Sequence, residues 1–215
     1  TAMDADNAFT GDTIWGFLTN ITSAVSEPFN NLATLAATNA FNIVDGGGID
    51  TIDFSNFSAN QTIDLRETAT SDTGMGGRSS VGGLVGNMDI AIGTVIEKAY
   101  SGSGNDIMYT STQGSTLYGG AGTDNLYGGN GNDRFYGGTG NDRMYGGAGD
   151  DYFSMRNDTN DFVGTDTFYG GSGEDSISLL NNTTGVTINL GTNFISTGDV
   201  ISSIENIYGG DGNNT

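Results

Sequence analysis

At a nine-residue spacing through the centre of this 215-residue chain stand Asp106, Ser115, Asp124, Asp133, Asp142 and Asp151. After a six-residue break the series resumes with Asp166 and Asp175. Carboxylates beside glycine-rich turns offer hard oxygen donors, side-chain and carbonyl alike, which is the ligand set of calcium. Carboxylates stacked on one another repel unless a cation lies between them. The spacing therefore predicts several calcium ions held between neighbouring turns. Other chemistries fall away for want of residues. The chain has no histidine and no cysteine, so it cannot build a His-ligated zinc centre, a Ser-His-Asp triad, a thiol nucleophile or a disulfide. Its net charge of −20 opposes binding to phosphate backbones or anionic lipid. No apolar run is long enough for a membrane helix, and the first residues lack the pattern of a signal peptide.

The elements that position these aspartates can be read from the unit itself. Six consecutive nonapeptides run from Ser101 to Ser154, and two more follow at 161–169 and 170–178. Position 8 is always apolar: Met108, Leu117, Leu126, Phe135, Met144, Phe153, Phe168 and Ile177. Glycines at positions 1, 2 and 4 favour a tight turn. Positions 7 to 9 then form a short strand that points position 8 inward. One such unit cannot bury its single apolar side chain, so units must stack. With two units per coil, Asp106, Asp124, Asp142 and Asp166 fall in one column, provided the break loops out. Asp133, Asp151 and Asp175 fall in the other. A flexible Gly/Asn-rich linker would keep no such register. The unit matches the G-G-x-G-x-D-x-U-x calcium-binding repeat of RTX proteins, and the fold class read here is all-β, a parallel β-roll.

A second, longer repeat flanks the first. Asp50-Thr51-Ile52 precedes Thr62-Ile63-Asp64-Leu65 at the spacing by which Asp175-Ser176-Ile177 precedes Thr187-Ile188-Asn189-Leu190. Ile96-Glu97 leads into Ser101–Asp106 as Ile204-Glu205 leads into Gly209–Asn214. Three parts are expected: flanking strands with a first calcium site over 1–100, the roll over 101–178, and a second flanking module over 179–215. The last ends within the start of a further roll, which reads as a fragment of a longer chain.

The segment from Thr10 to Asp106 resembles the C-terminal domain of the serralysin-type secreted metalloproteases. The landmarks are Thr10–Phe17, Gly47–Ser55, Ala59–Leu65, Ser80–Leu84 and Ile96-Glu97, in that family's order. With the nonapeptides, the resemblance extends to about residue 178. It implies calcium contacts in three regions. The first joins Gly11 and Thr13 to Asp45, Gly47, Gly48 and Asp50. The second joins Glu97 to Gly102, Gly104 and Asp106. The third runs through the nonapeptide turns: Gly120, Gly122 and Asp124; Gly129, Gly131 and Asp133; Gly138, Gly140 and Asp142; Gly147, Gly149 and Asp151; Gly164 and Asp166; Gly171, Gly173 and Asp175. The family's zinc-binding helix has no counterpart here, so no catalysis and no zinc are assigned to this chain. Its apolar C-terminal tail is missing, and residues 179–215 depart from its pattern.

Smaller features carry weaker signals. Eight tyrosines stand just before the start of a repeat: Tyr100, Tyr109, Tyr118, Tyr127, Tyr136, Tyr145, Tyr169 and Tyr208. Pointing outward, they predict ladders on both faces, either as cross-strand packing or as a surface for a glycan or partner. Arg134 and Arg143 read as counter-charges on opposite faces. Asp150 reads as a solvent-facing extra charge. Trp15 and Phe17 read as packing residues, and Thr19 to Ala40, with Pro28, as an insertion or short helix.

The function that follows is a non-catalytic calcium-binding module of an exported bacterial protein. Without calcium, 26 acids and 35% hydrophobic residues favour an expanded chain fit to thread the type I secretion machinery. Outside the cell, calcium then folds it beside a catalytic or further RTX domain of the same parent. The alternative is a segment of a surface-layer protein or adhesin.

Overall fold

The computed structural model describes residues 14–16, 41–67, 78–155, 164–180, 187–195 and 197–209. Two eight-stranded sheets dominate it. The first sheet stacks, in order, Ile14–Gly16, Thr51–Asp53, Lys98–Tyr100, Thr116–Ala121, Arg134–Thr139, Tyr152–Ser154, Ser176–Ser178 and Asn206–Tyr208, all parallel. The second stacks Thr62–Asp64, Ile107–Tyr109, Asn125–Tyr127, Arg143–Ala148, Thr167–Ser172 and Val200–Ser202 in parallel. Phe194–Ile195 and Ile188–Asn189 close its end antiparallel. The chain alternates between sheets through the roll, so each coil holds two nonapeptides. This is the expected parallel β-roll.

Each nonapeptide strand points its position-8 side chain inward, as alternation along a strand requires. All eight position-8 residues are fully buried, and so are Ile52 and Ile63 of the preceding coil and Ile201 of the last. Register holds them in rows: Leu126 lies between Met108 and Met144, and Phe135 between Leu117 and Phe153. The Phe135 and Phe153 rings stack at 5.1 Å, and Phe168 meets Phe153 edge-on at 5.9 Å. The six-residue break leaves the register untouched, since Arg143 pairs with Thr167 and Phe153 with Ile177. Both sheets continue without interruption across residues 100 and 178, where module boundaries were expected. A small third sheet of Phe41–Ile43, Met88–Ile90 and Arg78–Ser79 adds Ile43, Met88 and Ile90 to the core.

Outward tyrosines stack along both faces. Tyr100, Tyr118 and Tyr136 lie 4.2 and 4.5 Å apart. Tyr109, Tyr127, Tyr145 and Tyr169 lie 4.9 to 5.0 Å apart. Neighbouring rings are within 15° of parallel, so inside a ladder each face meets another ring instead of a sugar. Arg66 covers the outer face of Tyr109 at 4.5 Å. The geometry is that of cross-strand packing. Tyr208 departs from the expectation. It stands opposite Ser178, outside either ladder, because that row carries no ring at Ser154 or Ser178. Arg134 and Arg143 lie on opposite sheets as expected, and Arg134 sits over the Tyr152 ring at 5.2 Å. Trp15 pairs through its backbone with Ile52. Its side chain, Phe17 and Thr19 to Ala40 lie outside the described residues.

A core one side chain thick per strand makes each inward residue costly to remove. Phe135→Ala is expected to lower stability by roughly 3–5 kcal/mol, whereas exposed Arg143→Ala should stay within about 0.5 kcal/mol. Thermal melting at saturating calcium checks both.

Candidate metal centre

Where the chain enters each strand, the residue two positions before the inward side chain is drawn under the coil. In the turns leading to the second sheet, the Asp106 amide donates to Asp124 Oδ1 at 2.7 Å. Asp124 donates likewise to Asp142, and Asp142 to Asp166, each at 2.8 Å. On the opposite edge, Ser115 donates to Asp133 at 2.7 Å, Asp133 to Asp151 at 2.9 Å, and Asp151 to Asp175 at 2.8 Å. These are the two columns that the spacing predicts. All seven aspartates are buried to within 2% of full burial.

One carboxylate oxygen of each aspartate is therefore engaged by the preceding coil's amide. The other oxygen turns toward the start of its own turn. At Asp124, Asp151 and Asp175 this Oδ2 is buried without any hydrogen-bond partner, an expensive arrangement for an anion unless a cation completes it. The turn leaves room beside it. A Cβ on Gly119 would come 2.6 Å from both Asp124 Oδ2 and the Gly137 carbonyl, and one on Gly137 would come 2.5 Å from Asp142 Oδ2. Gly120 and Gly138, at φ of 100° and 101°, hold a backbone shape that side chains rarely adopt. Orphaned carboxylate oxygen, close glycine carbonyls and no bulk between them suit a cation that takes six to eight oxygens in irregular geometry. Among the described residues no three carboxylates converge on one point. Each turn supplies one, so an ion there must draw most of its oxygens from carbonyls.

Burial dominates the titration of these groups. It pushes Asp124 up to about 8, Asp151 to about 7 and Asp133 to about 6, with stacked carboxylates adding to the rise at Asp124 and Asp151. Amide donors pull back in the opposite direction, and at Asp133 the Thr110 hydroxyl helps them. Asp175 is raised for the same first reason.

A profile of the M10 serralysin C-terminal region matches residues 5–205 of the chain. The chain belongs to the serralysin C-terminal family. A profile of the RTX calcium-binding nonapeptide matches residues 202–215. Metalloprotease AprA of Pseudomonas entomophila is 40% identical over 107 residues, covering 50% of this chain and 20% of that protein. Serralysin B of Dickeya chrysanthemi is 44% identical over 99 residues, covering 46% of this chain and 18% of that protein. Serralysin of Photorhabdus luminescens is 39% identical over 106 residues, or 49% of this chain and 19% of that protein. The matched segment thus spans about a fifth of these relatives' length. Membership identifies the chain as the non-catalytic, calcium-binding β-roll region of a secreted, extracellular bacterial protein. The family match continues past residue 178 to 205, so the departure expected at 179 is corrected. The reason lies in the fold, for Val200–Ser202 and Asn206–Tyr208 add a further coil to both sheets.

This serralysin C-terminal chain also regroups the residues assigned by resemblance. Asp45, Gly47, Gly48, Asp50 and Glu97 come together: the Asp50 amide donates to Glu97 Oε2 at 2.7 Å, and the Gly47 amide to Asp45 Oδ2 at 2.7 Å. Burial, with some repulsion from Glu97, raises Asp45. Glu97 therefore stands with Asp50 and not with Gly102, Gly104 and Asp106. It precedes a first-sheet strand, whereas Asp106 precedes a second-sheet strand and enters from the opposite edge. Gly11 and Thr13 lie outside the described residues. Asp150 does more than face solvent, since it accepts the Glu174 amide and donates its own to Asn132, both at 2.9 Å.

Three column members escaped sequence reasoning. Asp199 accepts the Asp166 amide at 2.6 Å, Glu205 accepts the Asp175 amide at 2.9 Å, and Gln61 donates its amide to Asp106 at 2.7 Å. A usable signal existed for the two acids, each standing two residues before the apolar middle residue of a strand, Ile201 or Ile207. Neither turn carries the G-G-x-G pattern that marks the repeat.

The raised aspartates fix the sign of the pH response. A carboxyl that holds its proton more tightly when folded favours folding at low pH, and that contribution is lost as pH rises from about 4 to about 8. In EGTA, residual β-structure should be greater at pH 5 than at pH 8. Calcium affinity should run the other way, rising with pH as protons leave the ligands. Circular dichroism and calcium titration at the two pH values check these opposed trends.

Proposed function

We propose that this module works as a calcium-driven folding device on a protein exported unfolded. The observation that carries the reading is the pair of columns of buried carboxylates with unpartnered Oδ2 atoms at Asp124, Asp151 and Asp175. A buried anion of this kind opposes folding until a cation neutralises it. Binding free energy then becomes folding free energy. Low calcium inside the cell keeps a chain of net charge −20 expanded for passage through type I secretion machinery. Roughly millimolar calcium outside closes the stack from coil to coil.

The ligands proposed are the Oδ2 atoms of Asp124, Asp142, Asp151, Asp166 and Asp175, with carbonyls of the turn glycines Gly120, Gly122, Gly129, Gly131, Gly138, Gly140, Gly147, Gly149, Gly164, Gly171 and Gly173. Asp133 stands in the same column, but its Oδ2 is bonded by Thr110 and Gly129. Asp45, Gly47, Gly48, Asp50 and Glu97 form the N-terminal group, and Gly102, Gly104 and Asp106 open the second column. The parent protein, on this reading, carries a zinc protease domain that the folded roll stabilises, in keeping with relatives named metalloproteases. A surface-layer or adhesin role draws support from the nonapeptide match at 202–215, beyond the first roll. The stacked tyrosines favour neither a glycan nor a partner surface.

Calcium added to the chain in EGTA should convert a disordered circular dichroism spectrum into a β spectrum in one cooperative step. Magnesium, smaller and strictly octahedral, should fail at the same concentration. A spectrum already β-rich in EGTA and unmoved by calcium sinks the proposal.

A further inference from the structure

One turn in the first-sheet column breaks the pattern. Thr110 to Ser115 reads T-S-T-Q-G-S where its neighbours read G-G-x-G-x-D. Its backbone differs too. Gly114, at the fifth position, takes the positive φ of 94°, while in the turns at 119–124, 137–142, 146–151 and 170–175 glycines at the second and fourth positions do so. Ser115 replaces the carboxylate, and its hydroxyl reaches the Ile96 carbonyl at 2.9 Å and Ser111 Oγ at 3.0 Å. The Ser111 hydroxyl donates to the Gly114 carbonyl at 3.1 Å. The turn is closed by its own hydroxyls.

The next turn down responds. Asp133 Oδ2, the atom corresponding to the unpartnered Oδ2 of Asp124, Asp151 and Asp175, is satisfied by protein. It accepts the Thr110 hydroxyl at 3.3 Å and the Gly129 amide at 3.2 Å. The head of the other column supplies an independent parallel. Asp106, whose preceding turn ends in Gln61 and also lacks the nonapeptide, has its Oδ2 bonded to the Gly102 amide at 3.2 Å. An orphaned Oδ2 thus occurs at Asp124, Asp151 and Asp175, where the turn above is also a nonapeptide turn, and at neither Asp106 nor Asp133. A hydroxyl hydrogen directed at Asp133 Oδ2 stands where a cation would have to lie.

We infer that the step between the turns at 110–115 and 128–133 binds no calcium, the Thr110–Ser115 hydroxyls taking the ion's place. Within the nonapeptide columns an ion requires two successive nonapeptide turns on the same edge, and a hydroxyl-rich turn is a built-in substitute that keeps the roll continuous without one. This rests on the reading of the columns as calcium ligands in the preceding subsection.

The test counts ions on the full chain, by equilibrium dialysis against saturating calcium and elemental analysis. Rebuilding the turn as T110G/S111G/Q113G/G114N/S115D should add one ion per chain. An unchanged count in this variant, with β structure intact by circular dichroism, overturns the inference. Thr110→Val keeps the shape and removes the hydroxyl. Its count should equal that of the wild type, with a lower thermal midpoint, and it decides the matter if the rebuilt turn fails to fold. A count lower by one in Thr110→Val makes Thr110 a calcium ligand and overturns the inference as well. Asp151→Asn separates the two readings, because it should lose at least one ion. Full retention there refutes the calcium columns themselves, and with them this step.

Discussion

Everything in this structure depends on how a buried carboxylate is neutralised. The roll has a core one side chain wide per strand, and two turn edges line it with aspartates buried to within 2% of full burial. An apolar interior so thin cannot absorb a row of desolvated anions. The first oxygen of each is satisfied by the amide of the preceding coil, at 2.7 to 2.9 Å. The second oxygen divides the turns into kinds. At Asp124, Asp151 and Asp175 it has no protein partner and, on the proposed reading, is left for a cation, whereas at Asp106 and Asp133 an amide or hydroxyl takes it.

That division explains why one sequence can serve two conditions. Hydrophobic rows such as Met108-Leu126-Met144 favour the stack in any medium, but the columns oppose it whenever the carboxylates are ionised and bare. On the proposed reading, stability is then controlled by an outside ion concentration instead of by the core. The stacked tyrosines add attraction of the opposite character, independent of charge, along both outer faces. Their rings face one another at 4.2 to 5.0 Å, which ties coil to coil without competing for calcium.

The N-terminal and C-terminal segments obey the same constraint with different residues. Glu97 and Glu205 take the place of aspartate, reaching the Asp50 and Asp175 amides with a longer side chain from turns of another shape. This is why those segments join the two sheets as further coils. It is also why Glu97 belongs to the edge of Asp50 and not to that of Asp106.

Much of the fold and the centre was legible in the sequence because the period does the work twice. An apolar residue every ninth position can be buried only by stacking, and an aspartate two places earlier is then carried into a column whatever else the chain does. The parallel roll, its inward residues, the two columns and the tolerance of the six-residue break all follow from that register. Tertiary structure alone decided what each second oxygen meets, since that depends on a turn eighteen or more residues away on the same edge. It decided that Asp199, Glu205 and Gln61 extend the columns, because their turns lack the glycines that mark the repeat. It also decided that Tyr208 stands outside the ladders and that Asp133 is bonded by Thr110, both being contacts between coils. Spacing determines where a residue points. Only the neighbouring coil determines what it finds there.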